Sequence, residues 1–291
     1  MGNDFVIVTD STTDLTQEFA DSLGLVIIPY IFNLDGKEYR NYLDYRELSA
    51  RDYYDALRAG KTASTSLVTG QRYIDAFTPH VREGKDILYL CLSTGMSSSF
   101  GQSKMAAETL EKEFPGRKLI MIDTLAASMG QGMLAYYAAK ARGEGKTLEE
   151  TADYIKGIFL KLCMWVGVDD LNHLRRGGRV SGASAFFGTI LNIKPIIHVD
   201  DEGRLIPVEK VRGWNNVMDY MVSRMEETLL PPKDQVVFIS HSDAQERAEK
   251  LANLIVTRLG PREVKINYIG PVIGAHTGPG TIALFFIGSK R

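Results

Sequence analysis

The chain has 291 residues, of which 44% are hydrophobic, and this length is sufficient for one large or two smaller hydrophobic cores. Its formal net charge is -2 at pH 7, without long runs of one sign, which excludes the basic surface of a nucleic-acid-binding protein. The first residues lack the features of a signal peptide and no apolar run reaches the length of a membrane span, so we predict a cytoplasmic protein.

Nine short apolar runs rich in β-branched residues predict strands along the chain. They are residues 5–9, 25–32, 86–93, 118–123, 164–168, 194–200, 235–242, 264–269 and 282–288. Segments of helical period lie between many of these strands, and several of them end at glycine, as helices commonly do. The alternation predicts an α/β fold.

The second half of the chain differs from the first, because residues 196–213, "IIHVDDEGRLIPVEKVRG", indicate a β-hairpin with its turn at Asp200 to Gly203. A purely parallel, doubly wound domain has no need of such a hairpin. We therefore predict two α/β domains. Residues 1–155 form an N-terminal domain with a Rossmann-like parallel sheet, and residues 156–291 form a C-terminal domain with a mixed sheet.

Hydroxyl side chains cluster in "LSTGMSSSFGQS", after the strand predicted at 86–93. Helix capping requires one or two hydroxyls, whereas this stretch supplies five around a glycine. The surplus predicts a binding site for an anionic head group at a helix N-terminus. The lysine of a P-loop is missing, no G-x-G-x-x-G follows the first strand, and no G-x-S-x-G is present, so neither a nucleotide cradle nor a nucleophile elbow is predicted.

Three further stretches carry candidate site residues. Residues 63–70, "ASTSLVTG", form a second hydroxyl cluster, for which an ordinary loop is the alternative. In "LRRGGRVSG", residues 174–182, the paired glycines allow Arg179 to point inward at an anion, while a solvated turn is the alternative. In "GPVIGAHTGPG", residues 270–280, glycines on both sides of His276 predict a loop that approaches a ligand closely. No second His or Cys stands at ligand spacing, so no metal is predicted.

These stretches, together with "VIVTDSTTDL" and "IDTLAASMGQG", resemble the DegV family of fatty-acid-binding proteins over nearly the whole chain. The resemblance implies a long-chain fatty acid in a tunnel between two α/β domains. It also implies a protein that is not itself an enzyme and needs no cofactor. In many bacteria, proteins of this family act as the acyl-binding subunit of fatty acid kinase, so the resemblance implies that the chain presents the carboxylate to a separate ATP-binding subunit, which makes acyl phosphate.

The resemblance also assigns ligand-binding residues, and it implies that the segment near residues 60–80 can pack with the C-terminal domain. Where the family often has T-S-Q-P-S this chain has T-S-L-V-T, and hydroxyls remain at most of the matching positions. The predicted ligand-binding residues are Thr65, Ser93, Thr94, Ser97, Arg179, Arg212, His276 and Thr277.

The acyl tail requires an apolar lining, which residues 181–197, "SGASAFFGTILNIKPII", can supply, although ordinary core packing explains this stretch equally well. Two other functions remain open from the sequence. One is a stand-alone enzyme, either a hydrolase that pairs Ser93 with His276 or a phosphotransfer protein with His276 as nucleophile. The other is a binding module for a different apolar acid, or an acyl carrier that acts without any kinase.

Overall fold

The computed structural model describes residues 5–180, 192–231 and 234–291 of the chain. The strands are β1 Phe5–Asp10, β2 Leu25–Ile28, β3 Tyr30–Leu34, β4 Lys37–Asn41, β5 Ala63–Ser66, β6 Asp86–Cys91, β7 Leu119–Asp123, β8 Leu162–Gly167, β9 Ile193–Val199, β10 Leu205–Arg212, β11 Val236–His241, β12 Glu263–Tyr268 and β13 Ile282–Ile287. The helices are α1 Gln17–Ser22, α2 Ala50–Arg58, α3 Gly70–Arg82, α4 Ser99–Glu113, α5 Met129–Gly143, α6 Leu148–Ile158, α7 Asn172–Gly177, α8 Trp214–Thr228, α9 Gln245–Leu259 and α10 Pro271–Thr277. Short 3₁₀ turns occupy Ser11–Thr13 and Phe159–Lys161.

The N-terminal part contains a parallel sheet of four strands in the order β2-β1-β6-β7. This confirms the parallel sheet predicted from the apolar runs. Because the strands are parallel, the segments that follow β1, β6 and β7 meet at one edge of the sheet. These segments begin at Ser11, Leu92 and Thr124, so the hydroxyl-rich stretches of the sequence gather there.

The C-terminal part contains a mixed sheet of six strands in the order β10-β9-β8-β13-β11-β12. Strands β11 and β12 are parallel, and the other neighbouring pairs are antiparallel. The predicted hairpin is confirmed, because β9 and β10 pair in antiparallel fashion on either side of Asp200–Gly203. The α/β fold class, with one parallel and one mixed sheet, is therefore as predicted.

A third sheet of three strands, in the order β4-β3-β5, is absent from the sequence prediction. The run at 25–32 was expected to form one strand, but it divides at Pro29 into β2 and β3, which belong to different sheets. Proline has no N–H to donate to a sheet, so the break occurs where the ladder must end. The sequence does not predict strands β4 and β5, because their residues are mostly polar and form no apolar run. Such a composition is typical of a small, half-exposed sheet.

Helix α5 lies between the parallel and mixed sheets. Its side chains Met133 and Leu134 share a hydrophobic core with Leu90 of β6 and Phe285 of β13. A helix that is buried nearly all round is typical of such an interior position. The two predicted domains thus share a core, and the division predicted after residue 155 falls within α6. That boundary stays a prediction.

The two cysteines, Cys91 and Cys163, are buried free thiols. Burial raises the pKa of both thiols above its ordinary value, which keeps them protonated and unreactive. Within the described ranges, no helix combines the length and the apolar character needed to cross a membrane.

Candidate functional site

A cavity of about 240 Å³ lies between the mixed sheet and the carboxyl edge of the parallel sheet. One wall is apolar and comes from four strands of the mixed sheet, β8, β9, β10 and β13. Its residues are Met164, Val166, Ile197, Val199, Leu205, Ala283 and Phe285. The stretch predicted to line a tunnel is residues 181–197, and its part at 181–191 lies outside the described residues.

Polar side chains gather on the other walls of the cavity. They come from the small sheet, the loop after β6, the start of α5, the segment after α7, and helix α10. The residues are Tyr30, Thr65, Ser66, Ser97, Ser98, Ser128, Arg179, His276 and Thr277. The cavity therefore combines a hydrophobic surface with a group of hydrogen-bonding side chains, as ligand pockets generally do.

The glycine-rich stretch at 270–280, expected to be a loop, forms helix α10 with Pro271 in its first turn. This corrects the prediction, and the physical reason is that proline fits the first position of a helix well. The glycines allow close packing of this helix. A Cβ at Gly274 would lie 2.5 Å from the Tyr54 hydroxyl, which donates to the carbonyl of Ile269 at 2.6 Å. The absence of a side chain at Gly274 therefore allows α10 to pack closely against α2.

Helix α10 carries His276 into the cavity, where its Nε2 lies 3.0 Å from Thr65 Oγ1 on β5. The two residues are 211 positions apart in sequence, and β5 packs directly on α10. Thus β5, part of the segment near residues 60–80, contacts helix α10. Burial lowers the pKa of His276 to about 4, with a further contribution from the positive charge of Arg179. The imidazole is therefore neutral at physiological pH.

The second ring nitrogen of His276, Nδ1, is buried and has no hydrogen-bond partner among the described residues. It faces Gly177 at the end of α7, where a Cβ would lie 2.1 Å from Nδ1. Only a glycine leaves room for the ring at this position. Gly177 of the "LRRGGRVSG" stretch thus makes room for the histidine ring, which the sequence pattern did not reveal.

Arg179 follows this glycine pair and lines the cavity, with its Nε donating to the carbonyl of Met96 at 3.1 Å. It therefore ties the segment after α7 to the serine-rich loop after β6. By contrast, Arg175 and Arg176 are exposed. The role of Arg179 in binding an anion stays a prediction.

The serine-rich loop divides its predicted site residues between two locations. Ser97 lines the cavity, and its hydroxyl lies 3.1 Å from that of Ser99. Ser93 is buried outside the cavity lining, and its hydroxyl donates to the carbonyl of Gly203 at 2.8 Å. Thr94 is exposed, and its hydroxyl donates to the carboxylate of Asp123. The described lining of the cavity includes neither Ser93 nor Thr94, so their roles in ligand binding stay predictions.

Of the two remaining predicted site residues, Thr277 and Arg212, only Thr277 is among the described lining residues of the cavity. Thr277 lines the cavity and is buried, with its hydroxyl 3.4 Å from that of Ser242. Arg212 ends strand β10 as an exposed residue, and it is not among the described lining residues. The structure therefore brings together Thr65, Ser97, Arg179, His276 and Thr277, whereas Ser93, Thr94 and Arg212 lie outside that group.

The buried carboxyl group of Asp14, which sequence reasoning did not identify as a site feature, is hydrogen-bonded to a residue of the cavity wall. Asp14 accepts hydrogen bonds from Ser128 Oγ at 2.5 Å and from the backbone N–H of Gly270 at 2.9 Å. Ser128 lines the cavity and also lies 2.9 Å from Ser240 of β11. Asp14 thus joins the parallel sheet, the start of α5 and the start of α10. In the same D-S-T-T-D stretch, the Asp10 side chain caps the 3₁₀ turn at Ser11–Thr13.

The geometry bears on the enzyme alternative. The Ser93 hydroxyl donates to Gly203 and accepts from the N–H of Gly95, while His276 bonds Thr65. Neither residue is hydrogen-bonded to the other, and nucleophilic catalysis by serine requires that bond. A hydrolase built on this pair is therefore not favoured.

Comparison with known proteins shows close relatives over the whole chain. Residues 4–289 match the family model described as "Uncharacterised protein, DegV family COG1307". A DegV domain-containing protein of Clostridium perfringens is 39% identical over 287 residues, covering 99% of this chain and 98% of its own length. Another, from Streptococcus pyogenes serotype M3, is 36% identical over 286 residues, covering 98% of this chain and 99% of its own length.

Solved structures share the fold. The structure of a DegV family protein from Thermus thermophilus, described by its fatty acid binding, is 29% identical with a TM-score of 0.88, covering 98% of this chain and 99% of the other. A fatty acid binding DegV family protein from Streptococcus agalactiae is 28% identical with a TM-score of 0.84, covering 99% of each chain.

Proposed function

This chain belongs to the DegV family, and we propose that it binds a long-chain fatty acid in the cavity between its two large sheets. The observation that carries the proposal is the pairing of Thr65 with His276 on the wall of a cavity whose opposite wall is apolar. Structural relatives described as fatty acid binding support it.

The chemistry of the cavity suits a carboxylate with an alkyl tail. A carboxylate carries one charge, which hydroxyl donors, a neutral imidazole and one guanidinium can satisfy without a lysine cradle. Thr65, His276 and Arg179 supply these groups. The tail would lie against the apolar wall, where each buried methylene contributes about 0.8 kcal/mol.

A finer part of the proposal concerns the partner. We propose that the protein is the acyl-binding subunit of a bacterial fatty acid kinase in the cytoplasm, and that it presents the carboxylate to a separate ATP-binding subunit. Its family membership supports this role. Formation of acyl phosphate from ATP only when both subunits are present would test it. A carrier without a kinase would bind the acid but give no acyl phosphate.

The binding proposal is tested by denaturing the purified protein, extracting it with organic solvent and analysing the extract by mass spectrometry. We expect about one fatty acid per wild-type chain and little from a Thr65→Ala, His276→Ala double variant, because the variant lacks the paired head-group donors. Circular dichroism of the variant serves as the control for folding. A wild-type extract without fatty acid, or with an unrelated apolar acid, would contradict the proposal.

A Gly177→Ala variant tests the same site without removing any polar group. Its methyl group would meet His276 Nδ1 at 2.1 Å, so we expect the ring to move off Thr65 and fatty acid affinity to fall about tenfold or more. The control is Gly157→Ala, because Gly157 is an exposed helical glycine of α6 with open space around its Cβ position. That change should leave binding intact and stabilise the helix by up to about 1 kcal/mol. Equal affinities for both variants would refute the positioning role of Gly177.

A further inference from the structure

Tyr30 is a cavity residue that neither the sequence motifs nor the family resemblance singled out. It is the first residue of β3, lines the cavity, and is only 2% exposed. Its backbone N–H donates to Ser11 Oγ at 3.0 Å, which fixes the start of the strand. The backbone of Tyr30 is therefore fixed at the start of β3, and its side chain lines the cavity.

The hydroxyl group of Tyr30 is buried and has no hydrogen-bond partner among the residues that the structure describes. Other fully buried tyrosines do not share this feature. Tyr53 donates to the carbonyl of Pro271, Tyr54 to that of Ile269, and Tyr73 bonds Tyr89. Because a buried hydroxyl without a partner costs stability, an unpaired one that lines a cavity points to a ligand that supplies the acceptor.

Strand pairing places Tyr30 beside the head-group residues. Phe32 of β3 lies opposite Thr65 of β5 in antiparallel register. Side chains two positions apart along a strand point to the same face, so Tyr30, Phe32 and Thr65 share one face of the small sheet. Tyr30 is then the diagonal neighbour of Thr65, at a separation that long side chains bridge.

The serine-rich loop approaches the tyrosine from the other side. The Ser97 and Ser99 hydroxyls bond each other, and Ser99 also accepts from the N–H of Val68 at 3.2 Å. Burial, the largest effect, raises the pKa of Tyr30 well above its usual range, while the nearby hydroxyls of Ser97 and Ser99 lower it. Neither serine, however, makes a hydrogen bond of normal distance and angle to the Tyr30 hydroxyl. The phenol is thus protonated at physiological pH and presents an O–H donor.

We propose that the Tyr30 hydroxyl donates a hydrogen bond to the ligand's carboxylate, beside Thr65 and His276. This inference rests on the proposed fatty acid binding and adds a third element, β3, to the head-group site. A hydrogen bond to a charged acceptor is stronger than one to a neutral acceptor. Tyr30 therefore favours a free carboxylate over an uncharged head group of the same chain length.

The test compares Tyr30→Phe with the wild type, both stripped of lipid, by calorimetric titration with palmitate and with 1-hexadecanol. We expect the palmitate affinity of the variant to fall about tenfold or more and its hexadecanol affinity to fall much less, because only the carboxylate carries charge. Tyr73→Phe is the matched control. It removes an equally buried hydroxyl that bonds Tyr89 and is not among the described lining residues, so both affinities should be unchanged.

Thermal unfolding of the ligand-free proteins separates a binding role from a structural one. We expect the midpoint of Tyr30→Phe to equal or exceed that of the wild type, because the variant loses an unpaired buried hydroxyl. A lower midpoint would show that the hydroxyl serves the fold. Equal palmitate affinity in the two proteins would overturn the inference and leave fatty acid binding intact. Absence of palmitate binding by the wild type itself would overturn both.

Discussion

Replacing Gly95 with alanine is expected to lower the free energy of unfolding by about 3 kcal/mol, a large effect for a single methyl group. A Cβ at this position would lie 2.5 Å from the carbonyl oxygen of Gly203 and 2.8 Å from that of Glu202. These are backbone atoms of the β9–β10 hairpin, and they cannot rotate away as a flexible side chain can. The serine-rich loop and the hairpin would have to separate.

Urea denaturation measures this effect, and the loss should extend to fatty acid binding. The contact joins the loop carrying Ser97 to the sheet that forms the apolar wall, so its separation would open the cavity. The matched control is Gly101→Ala in helix α4, where a Cβ has open space. We expect that variant to be as stable as the wild type or slightly more stable. A Gly95→Ala protein with wild-type stability would show that the close approach is absent in solution.

The second large effect is expected at Asp14. Its replacement by alanine leaves the buried Gly270 N–H without its acceptor and removes one of the two partners of the Ser128 hydroxyl, the other being Ser240. Each unsatisfied buried group costs roughly 1–3 kcal/mol, so we expect a loss of about 3 kcal/mol or more. Because Asp14 fixes the starts of α5 and α10, fatty acid retention should fall as well.

Asp14→Asn provides the informative comparison, because its amide can accept from Gly270 and donate to Ser128. Burial raises the pKa of Asp14 from 3.8 to about 8, so the folded protein holds a proton that the unfolded chain releases. A raised carboxyl pKa means that the stability contributed by this group is lost as pH rises from about 4 to about 8. We expect the Asp14→Asn variant to gain stability relative to the wild type over this range.

Denaturation midpoints at pH 5 and pH 8 measure this difference. Burial also raises the pKa of nearby Asp10, which is present in both proteins and whose negative charge contributes to the raised pKa of Asp14. A wild type and a variant whose stabilities run parallel across this range would contradict the raised pKa. An Asp14→Ala protein as stable as the wild type would contradict the structural role.

Much of the fold was predictable because it rests on local pattern. Apolar runs bounded by polar loops identified nearly all strands of the two large sheets, and the turn at Asp200–Gly203 identified the hairpin. The small sheet was missed for a physical reason. Strand β5 is polar and half-exposed, so its pairing with β3 is decided by its neighbours rather than by its own composition.

The site was predictable in its residue types more than in its contacts. Thr65, Ser97, Arg179, His276 and Thr277 stood out as polar residues in unusual glycine- or hydroxyl-rich settings, and they line one cavity. Ser93 and Thr94 stood out equally, yet their hydroxyls bond Gly203 and Asp123. A hydroxyl cluster at a strand end shows that polar contacts are needed there, but it does not show which side chains face the ligand.

The sequence by itself determined the α/β class, the hairpin and, through its motifs, the family. Only the tertiary structure decided that His276 lies on a helix against Thr65, that Gly177 makes room for its ring, and that Tyr30 has an unpaired hydroxyl in the cavity. The reason is distance along the chain. Periodicity and turn chemistry act over a few residues, whereas these contacts join segments that only packing of the sheets brings together.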